Sequence, residues 1–397
     1  VGGIIGSGIF FTPAETARAL PTGGMVLAVW ALGGVVALFG ALTYAELGAM
    51  LPDTGGAYVY IRRAFGSLPA FLSGWMTLLS IGTGALAAVA MGFAGYLERF
   101  VPLDAVGGRM GVAAGAILLL CITNFLGVKP GALVQNVLTL AKIVALGALI
   151  VGGLALWTSI GTPPAVVDAP APRESLVAGF AAAFVAVLFT IGGWQSMNMM
   201  AGEIRDPART IPRALFIGIA IVIAIYLGAN AVYLHVLGRD GLAASAAVAA
   251  DTAARLVGPA GATFIAVSAM LSILGFINVT ILTQPRIFYA MALDGVFLRA
   301  AAKVHPRFGT PHVSIFIMGA WAIALLLITR GEIGALLSGV VFADWIFFGL
   351  GAASVFRLRR TMPDAPRPYR VVGYPFVPAF FVLAAIMGIV SAYVSSP

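Results

Sequence analysis

The sequence predicts an all-α polytopic membrane protein, and three observations carry that prediction. Of its 397 residues, 61% are hydrophobic and only 10% charged, whereas a soluble domain holds roughly a quarter charged residues. The charges are clustered, so apolar runs of about 18 residues or more recur along the chain, each long enough to cross a bilayer as a helix. The runs are continuous instead of alternating, which argues against a barrel, and lipid obliges each segment to satisfy its own backbone hydrogen bonds. A soluble globular domain is excluded.

Reading from charge to charge gives eleven spans in order: 1–19, 23–45, 71–97, 111–128, 131–157, 176–201, 212–236, 258–289, 313–329, 333–356 and 374–394. The first is short and glycine-rich. The second ends before Glu46 and the turn-forming PDTGGAYVY, read as a structured inner loop with Pro52, Gly55, Gly56 and Tyr58. The third lies between Arg63 and Glu98, the fourth between Arg109 and Lys129, and the fifth carries Lys142 in its interior. The sixth ends before Glu203, and the tenth contains Asp344. The opening VGGIIGSGIF lacks the basic region and cleavage site of a signal peptide, so the chain is expected to begin inside a helix, as part of a longer protein.

The basic residues set the orientation. A net charge of +8 could speak for nucleic acid, but in a polytopic chain it reports loops held on the cytoplasmic side. One set of alternate connections holds fifteen Lys and Arg, from Arg62 and Arg63 to Arg367 and Arg370; the other holds seven, Arg18, Arg99, Arg109, Arg173, Arg239, Arg255 and Arg330. The bias places the first set and the N-terminus in the cytoplasm, with a bacterial inner membrane as the expected location. The single cysteine, Cys121, lies within an apolar span, so no internal disulfide is available.

Two spans are broken by glycine. The first holds Gly2, Gly3, Gly6, Ser7 and Gly8, and the sixth holds LFTIGGW with Phe189, Thr190, Ile191, Gly192, Gly193 and Trp194. Such glycines also suit close helix packing, as the Gly2 and Gly6 spacing does. Their paired placement favours a transport site, because secondary carriers build their sites from discontinuous helices in corresponding positions of two repeats. Helices one and six are five apart. Five-helix repeats are therefore expected over 1–157 and 176–358, the second inverted because five is odd, with 374–394 outside both.

Four motifs then carry a family resemblance: GSGIF at 6–10, GGW at 192–194 followed by GEIRDPARTIPRA at 202–214, QPRIFYAMALDG at 284–295, and RRTMPDAPRPYRV at 359–371. In that order and on those spans, the chain resembles the amino acid–polyamine–organocation transporters, and within them the L-type amino acid transporter branch. The resemblance implies a LeuT-like fold, a twelfth helix beyond the eleven spans, and transport of amino acids by alternating access.

It also implies a site. An amino acid's carboxylate needs free N–H donors and its ammonium needs free carbonyls, and a helix broken at mid-membrane supplies both. By the resemblance, the N–H groups of Ser7, Gly8 and Ile9 hold the carboxylate, while the carbonyls of Ile4, Ile5, Phe189 and Ile191 hold the ammonium. Gly8 and Gly192 let substrate approach the main chain without an intervening Cβ. Phe189 takes the place of an aromatic gate; Trp194 and Gln195 follow the break and are candidates to touch the substrate side chain, Trp194 being equally a candidate helix-packing anchor.

A lysine at mid-span costs about 2.5 to 3.5 kcal/mol on insertion scales and marks function when it cannot reach water. By the resemblance, Lys142 is a fixed cation in place of sodium, its ammonium bonding helix-one carbonyls near Ile4 to Gly6 and the hydroxyl of Ser272. Proton exchange by the lysine and a purely structural pairing are the other readings. Asp344 and Glu15 either form polar pairs or line the pathway, Glu15 also being near the interface. Glu203, Arg205, Asp206, Arg209 and Arg213 are expected to form an inner-gate cluster of salt bridges.

Rival classes lack apparatus. The three histidines fall near span ends, and no His-Glu-x-x-His, Gly-x-Ser-x-Gly or Cys/His cluster occurs; neither a filter loop nor a ring of charge points to a channel. An enzyme is therefore not expected, nor is any metal or cofactor. The expectation is a sodium-independent amino acid transporter exchanging neutral L-amino acids, with proton-coupled symport as the alternative. No disulfide-linked heavy subunit is expected, since loop 100–110 has no cysteine.

Overall fold

Helices account for nearly all regular structure in the computed structural model, which describes residues 1–161, 163 and 175–395, with 333–339, 341 and 392–395 as backbone alone. Arg173, one of the seven basic residues assigned to the outer connections, lies outside the described residues. The chain opens with a turn, a break and a short 3-10 stretch at Gly8–Phe10, then runs through α1 (Thr12–Ala19), α2 (Gly23–Met50) and the short α3 (Ala57–Phe65). The third span is α4 (Ser67–Met76), a π turn at Thr77–Ile81 and α5 (Gly82–Leu97); α6 (Gly108–Phe125) and α7 (Val128–Ala155) follow. The sixth is α8 (Leu176–Thr190), a break and the one-turn α9 (Ser196–Met199). Next come α10 (Pro207–Ala244), α11 (Val248–Val257), α12 (Pro259–Thr283), α13 (Pro285–Leu293), α14 (His312–Ile328), α15 (Ile333–Thr361) and α16 (Phe376–Ser395).

Local chemistry sets several of these boundaries. Thr22 and Ser175 cap α2 and α8, accepting the N–H groups of Met25 and Ala178. Prolines 207, 259 and 285 occupy first positions, where no intrahelical N–H is needed. Among the described residues, six stretches are long and apolar enough to cross a membrane: Gly23–Met50, Ser67–Leu97, Gly108–Phe125, Val128–Ala155, Pro207–Ala244 and Pro259–Leu293. Three shorter apolar helices are Leu176–Thr190, His312–Ile328 and Phe376–Ser391.

The faces of α7 show how the bundle is oriented. Leu133, Val137, Leu140, Val144 and Val151 form an exposed apolar stripe, as a lipid-facing surface requires, while Leu138, Lys142, Ala145, Leu146 and Leu149 are buried. Lys142 therefore points into the protein. Small residues bring the inner helices close: a Cβ on Gly34 of α2 would stand 3.1 Å from Ile223 of α10. Buried amides join α6, α7 and α12, with Asn124 donating to Asn278 at 2.9 Å and Asn278 donating to Gln135 and the Gly131 carbonyl at 3.0 Å.

On the arginine-rich side, ion pairs tie connections to helix ends. Glu203 receives Arg286 of α13 at 2.9 and 3.2 Å, so its partner comes from a distant helix and not from the charged residues of its own loop, among which Arg209 and Asp206 stand 3.9 Å apart. That corrects the expected cluster: a short loop cannot curl its own arginines onto Glu203 while α10 begins at Pro207. Tyr58 and Arg62 of α3 donate to Asp294 at 2.8 and 2.5 Å. Burial first, then the Asp294 carboxylate, holds the Tyr58 phenol above its usual range.

Candidate functional site

The first break begins after a single turn, in which the N–H groups of Ile4 and Ile5 both donate to the Val1 carbonyl at 3.0 Å. Gly6 then donates to Ile4 at 2.8 Å, and helical pairing resumes only when Phe10 donates to Ser7. The N–H groups of Ser7, Gly8 and Ile9 make no hydrogen bond to another described residue. In the second break, Ile191 donates to Val187 at 3.0 Å and Gly192 to Phe189 at 3.3 Å, and Gly193 adopts φ 97°, which favours glycine. A Cβ on Gly193 would collide with the Gly3 carbonyl oxygen, so only glycine lets the two breaks approach.

The breaks abut. Thr12 and Thr190 hydroxyls are 2.7 Å apart, and the Tyr226 hydroxyl of α10 reaches the carbonyls of Ile4 at 3.1 Å and Thr190 at 3.4 Å. A Cβ on Gly8 would lie 2.6 Å from Thr190 Cγ2. Beside this junction is a cavity of about 140 Å³. Of the residues expected at a site, Ile4, Ser7, Gly8, Phe189, Gly192 and Gln195 line it, and Phe189 is 42% exposed.

Others lie elsewhere. Trp194 is buried on the far side of the break, edge-on to Tyr44 and Phe381 and tilted against Phe348, so it packs helices instead of facing the cavity. Ile5, Ile9 and Ile191 are buried and do not line it. The Ile4 carbonyl already accepts from Gly6 and Tyr226, and the Ile5 carbonyl accepts from Lys142 and Ser272, which leaves neither with an open lone pair for a substrate ammonium. Gln195 turns its Oε1 back onto the Gly193 N–H at 3.0 Å, steadying the break.

Lys142 fills the space behind helix one. Its ammonium donates to the carbonyls of Ile5 at 2.5 Å, Gly2 at 3.2 Å and Ser272 at 3.3 Å. The Ser272 hydroxyl, expected to meet the lysine, instead donates to Ile5 at 3.1 Å and Gly6 at 3.0 Å. The physical reason is donor economy: an ammonium and a hydroxyl hydrogen both need acceptors, and the broken strand offers carbonyls to each. Gly275 leaves the room, since a Cβ there would stand 3.0 Å from the lysine nitrogen. Among the described residues no group of three metal-ligating side chains occurs.

Several cavity residues were not singled out from sequence. Ser73 and Thr77 from the third span, Thr280 and Gln284 from α12, and Phe347 and Phe348 from α15 all line it, beside Asp344, which the sequence had marked as a pathway candidate. A signal existed: Ser73 and Thr77, like Thr280 and Gln284, are polar residues one helical turn apart in otherwise apolar spans. Thr77 also opens the π turn, a local irregularity frequent at functional sites.

The sequence model of the amino acid permease family matches residues 1–397. The chain is similar to the serine/threonine exchanger SteT of Bacillus subtilis, 33% identical over 98% of this chain and 88% of that protein. It is similar to the human cystine/glutamate transporter, 32% identical over 100% of this chain and 79% of that protein. It is also 33% identical to the mouse large neutral amino acids transporter small subunit 2, over 94% of this chain and 70% of that protein.

Proposed function

The chain belongs to the amino acid permease family, and from that membership we propose that it is a sodium-independent exchanger of neutral L-amino acids working by alternating access. It is a multi-pass membrane transporter and not an enzyme. The observation that carries the reading is the junction of two broken helices beside one cavity, with the N–H groups of Ser7, Gly8 and Ile9 unpaired. Donors at the start of a helical segment suit a carboxylate. For the ammonium, the acceptor left at the second break is the carbonyl of Phe189, a cavity-lining residue, which accepts from the N–H groups of Ile191 and, at 3.3 Å, Gly192; the Ile191 carbonyl has no described partner, but its residue does not line the cavity.

Sodium independence rests on Lys142. Its ammonium occupies a ring of carbonyls from helix one and α12, the kind of group that a bound cation requires when a helix is unwound. A fixed positive charge holding those carbonyls leaves sodium no vacancy. The five-helix repeats 1–157 and 176–358, with the arginine-rich connections and the N-terminus in the cytoplasm of a bacterial inner membrane, complete the proposal. A rocking motion of one repeat against the other exposes the cavity alternately. The lack of cysteine in 100–110 supports action without a disulfide-linked subunit.

Reconstitution tests this. Purified protein in liposomes is expected to take up labelled neutral amino acids saturably, faster when the lumen is preloaded with unlabelled substrate, and at the same rate when potassium replaces sodium. Uptake that needs sodium, or an unsaturable ion current, would sink the reading.

A further inference from the structure

Resting on the reading of the chain as an amino acid transporter, we propose that the same cavity takes amino acids with a cationic side chain, whose distal ammonium or guanidinium pairs with Asp344. Asp344 sits on α15, half-buried, and lines the cavity. Among the described residues it has neither a hydrogen bond nor an ion pair. Among the described residues no lysine, arginine or histidine lines the cavity, so the described wall carries one formal charge, and that charge is negative. Lys142 is committed to three carbonyls behind helix one.

The neighbouring hydroxyls give Asp344 no relief. Thr77 and Thr280 return their hydrogens to the carbonyls of Ser73 and Phe276 in their own helices. An unpartnered carboxylate in such a place is costly, and a cation in the cavity removes the cost. The surroundings fit an organic cation: Phe347 and Phe348, one turn beyond Asp344 on α15, and Phe189 line the same cavity. Aromatic faces beside a carboxylate attract ammonium and guanidinium groups, whereas a proton needs no aromatic wall.

The cavity is thus polarised, with unpaired N–H donors at Ser7 and Gly8 and a carboxylate at Asp344. A substrate whose carboxylate meets the break and whose far end is positive matches both ends, while an acidic side chain meets repulsion.

Lysine and norleucine are the probes, since they differ by one terminal ammonium. In proteoliposomes, wild-type protein is expected to take up labelled lysine at least as tightly as norleucine. Asp344→Asn should shift the ratio of the two apparent affinities towards norleucine by about thirty-fold or more, and Asp344→Glu should preserve the original order. Thermal stabilisation of the wild-type protein by lysine against norleucine gives the same comparison without any variant. Norleucine uptake without lysine uptake, or a ratio unmoved by Asp344→Asn, overturns the proposal. So does norleucine uptake that acidifies the lumen in the wild type but not in Asp344→Asn, which would assign the carboxylate to a proton. Absence of uptake of any amino acid overturns the transporter reading instead.

Discussion

The ammonium of Lys142 stands 2.5 Å from the carbonyl oxygen of Ile5, joining the middle of α7 to the broken strand that precedes α1. The same nitrogen reaches Gly2 and Ser272, so one side chain fixes the N-terminal part of the first span to both α7 and α12. A strand without helical pairing holds its shape only if other donors satisfy its carbonyls.

Replacing Lys142 by Met removes that donor from the carbonyls of Gly2, Ile5 and Ser272. Each lost partner costs about 1 to 3 kcal/mol where no water replaces it. Uptake is expected to fall at least about ten-fold, with thermal unfolding in detergent lowered by several degrees. Counterflow assays and a melting curve check the two parts, and full activity at an unchanged melting temperature would contradict the role given to Lys142.

Gly275 supplies the space for the lysine nitrogen, so Gly275→Ala should reproduce part of that loss. Its Cβ would sit 3.0 Å from Nζ, tighter than ordinary van der Waals contact, and the ammonium must shift. A several-fold fall in uptake is expected, and none at all in a Lys142→Met background, because the crowded atom is then missing. A double-mutant cycle on uptake measures the coupling.

Lys142 also shows what was legible in the sequence. A charge alone in an apolar span announces itself, and the glycines of the two breaks stand five helices apart. Which backbone carbonyls the lysine reaches was not legible, since a sequence names side chains and not the directions of main-chain groups at an unwound turn. Trp194 shows the same difficulty. It follows Gly193, whose φ of 97° resets the direction of the chain, so helical periodicity from α8 no longer says where residue 194 points. Asp344 was visible as a lone carboxylate, but its place on the cavity wall depends on how α15 packs. The all-helical membrane class followed from composition and the long unbroken apolar runs, because lipid leaves so few solutions.

Gly8 is predicted to tolerate no side chain unless Thr190 yields. With Gly8→Ala, the new Cβ would meet Thr190 Cγ2 at 2.6 Å and Oγ1 at 2.7 Å, forcing the two broken helices apart. Uptake should drop to background with the protein still inserted. Thr190→Ala removes both offending atoms, so Gly8→Ala with Thr190→Ala should recover part of the uptake that Gly8→Ala alone loses. If the double variant is as inactive as the single one, the close contact is not the cause.

The connection between α15 and α16 is held by one acid. Glu46, fully buried near the end of α2, accepts from Arg359 at 2.9 and 2.6 Å and from the Val371 N–H at 2.7 Å, with Arg367 3.6 Å away. Arg359 in turn lies 3.8 Å from the Tyr374 ring. Removing one member of a buried, hydrogen-bonded ion pair leaves the others uncompensated, at a cost of about 3 to 5 kcal/mol. Glu46→Gln keeps the shape and one acceptor but loses the charge that two guanidinium groups share. Its melting temperature in detergent should fall by more than that of Arg209→Gln, whose only ion-pair partner among the described residues is Asp206 at 3.9 Å on an exposed surface. Because Glu46 lies outside the cavity, substrate ranking among amino acids should be unchanged in Glu46→Gln. A change in ranking, or a melting temperature no lower than that of Arg209→Gln, would show that the acid does not act as this anchor.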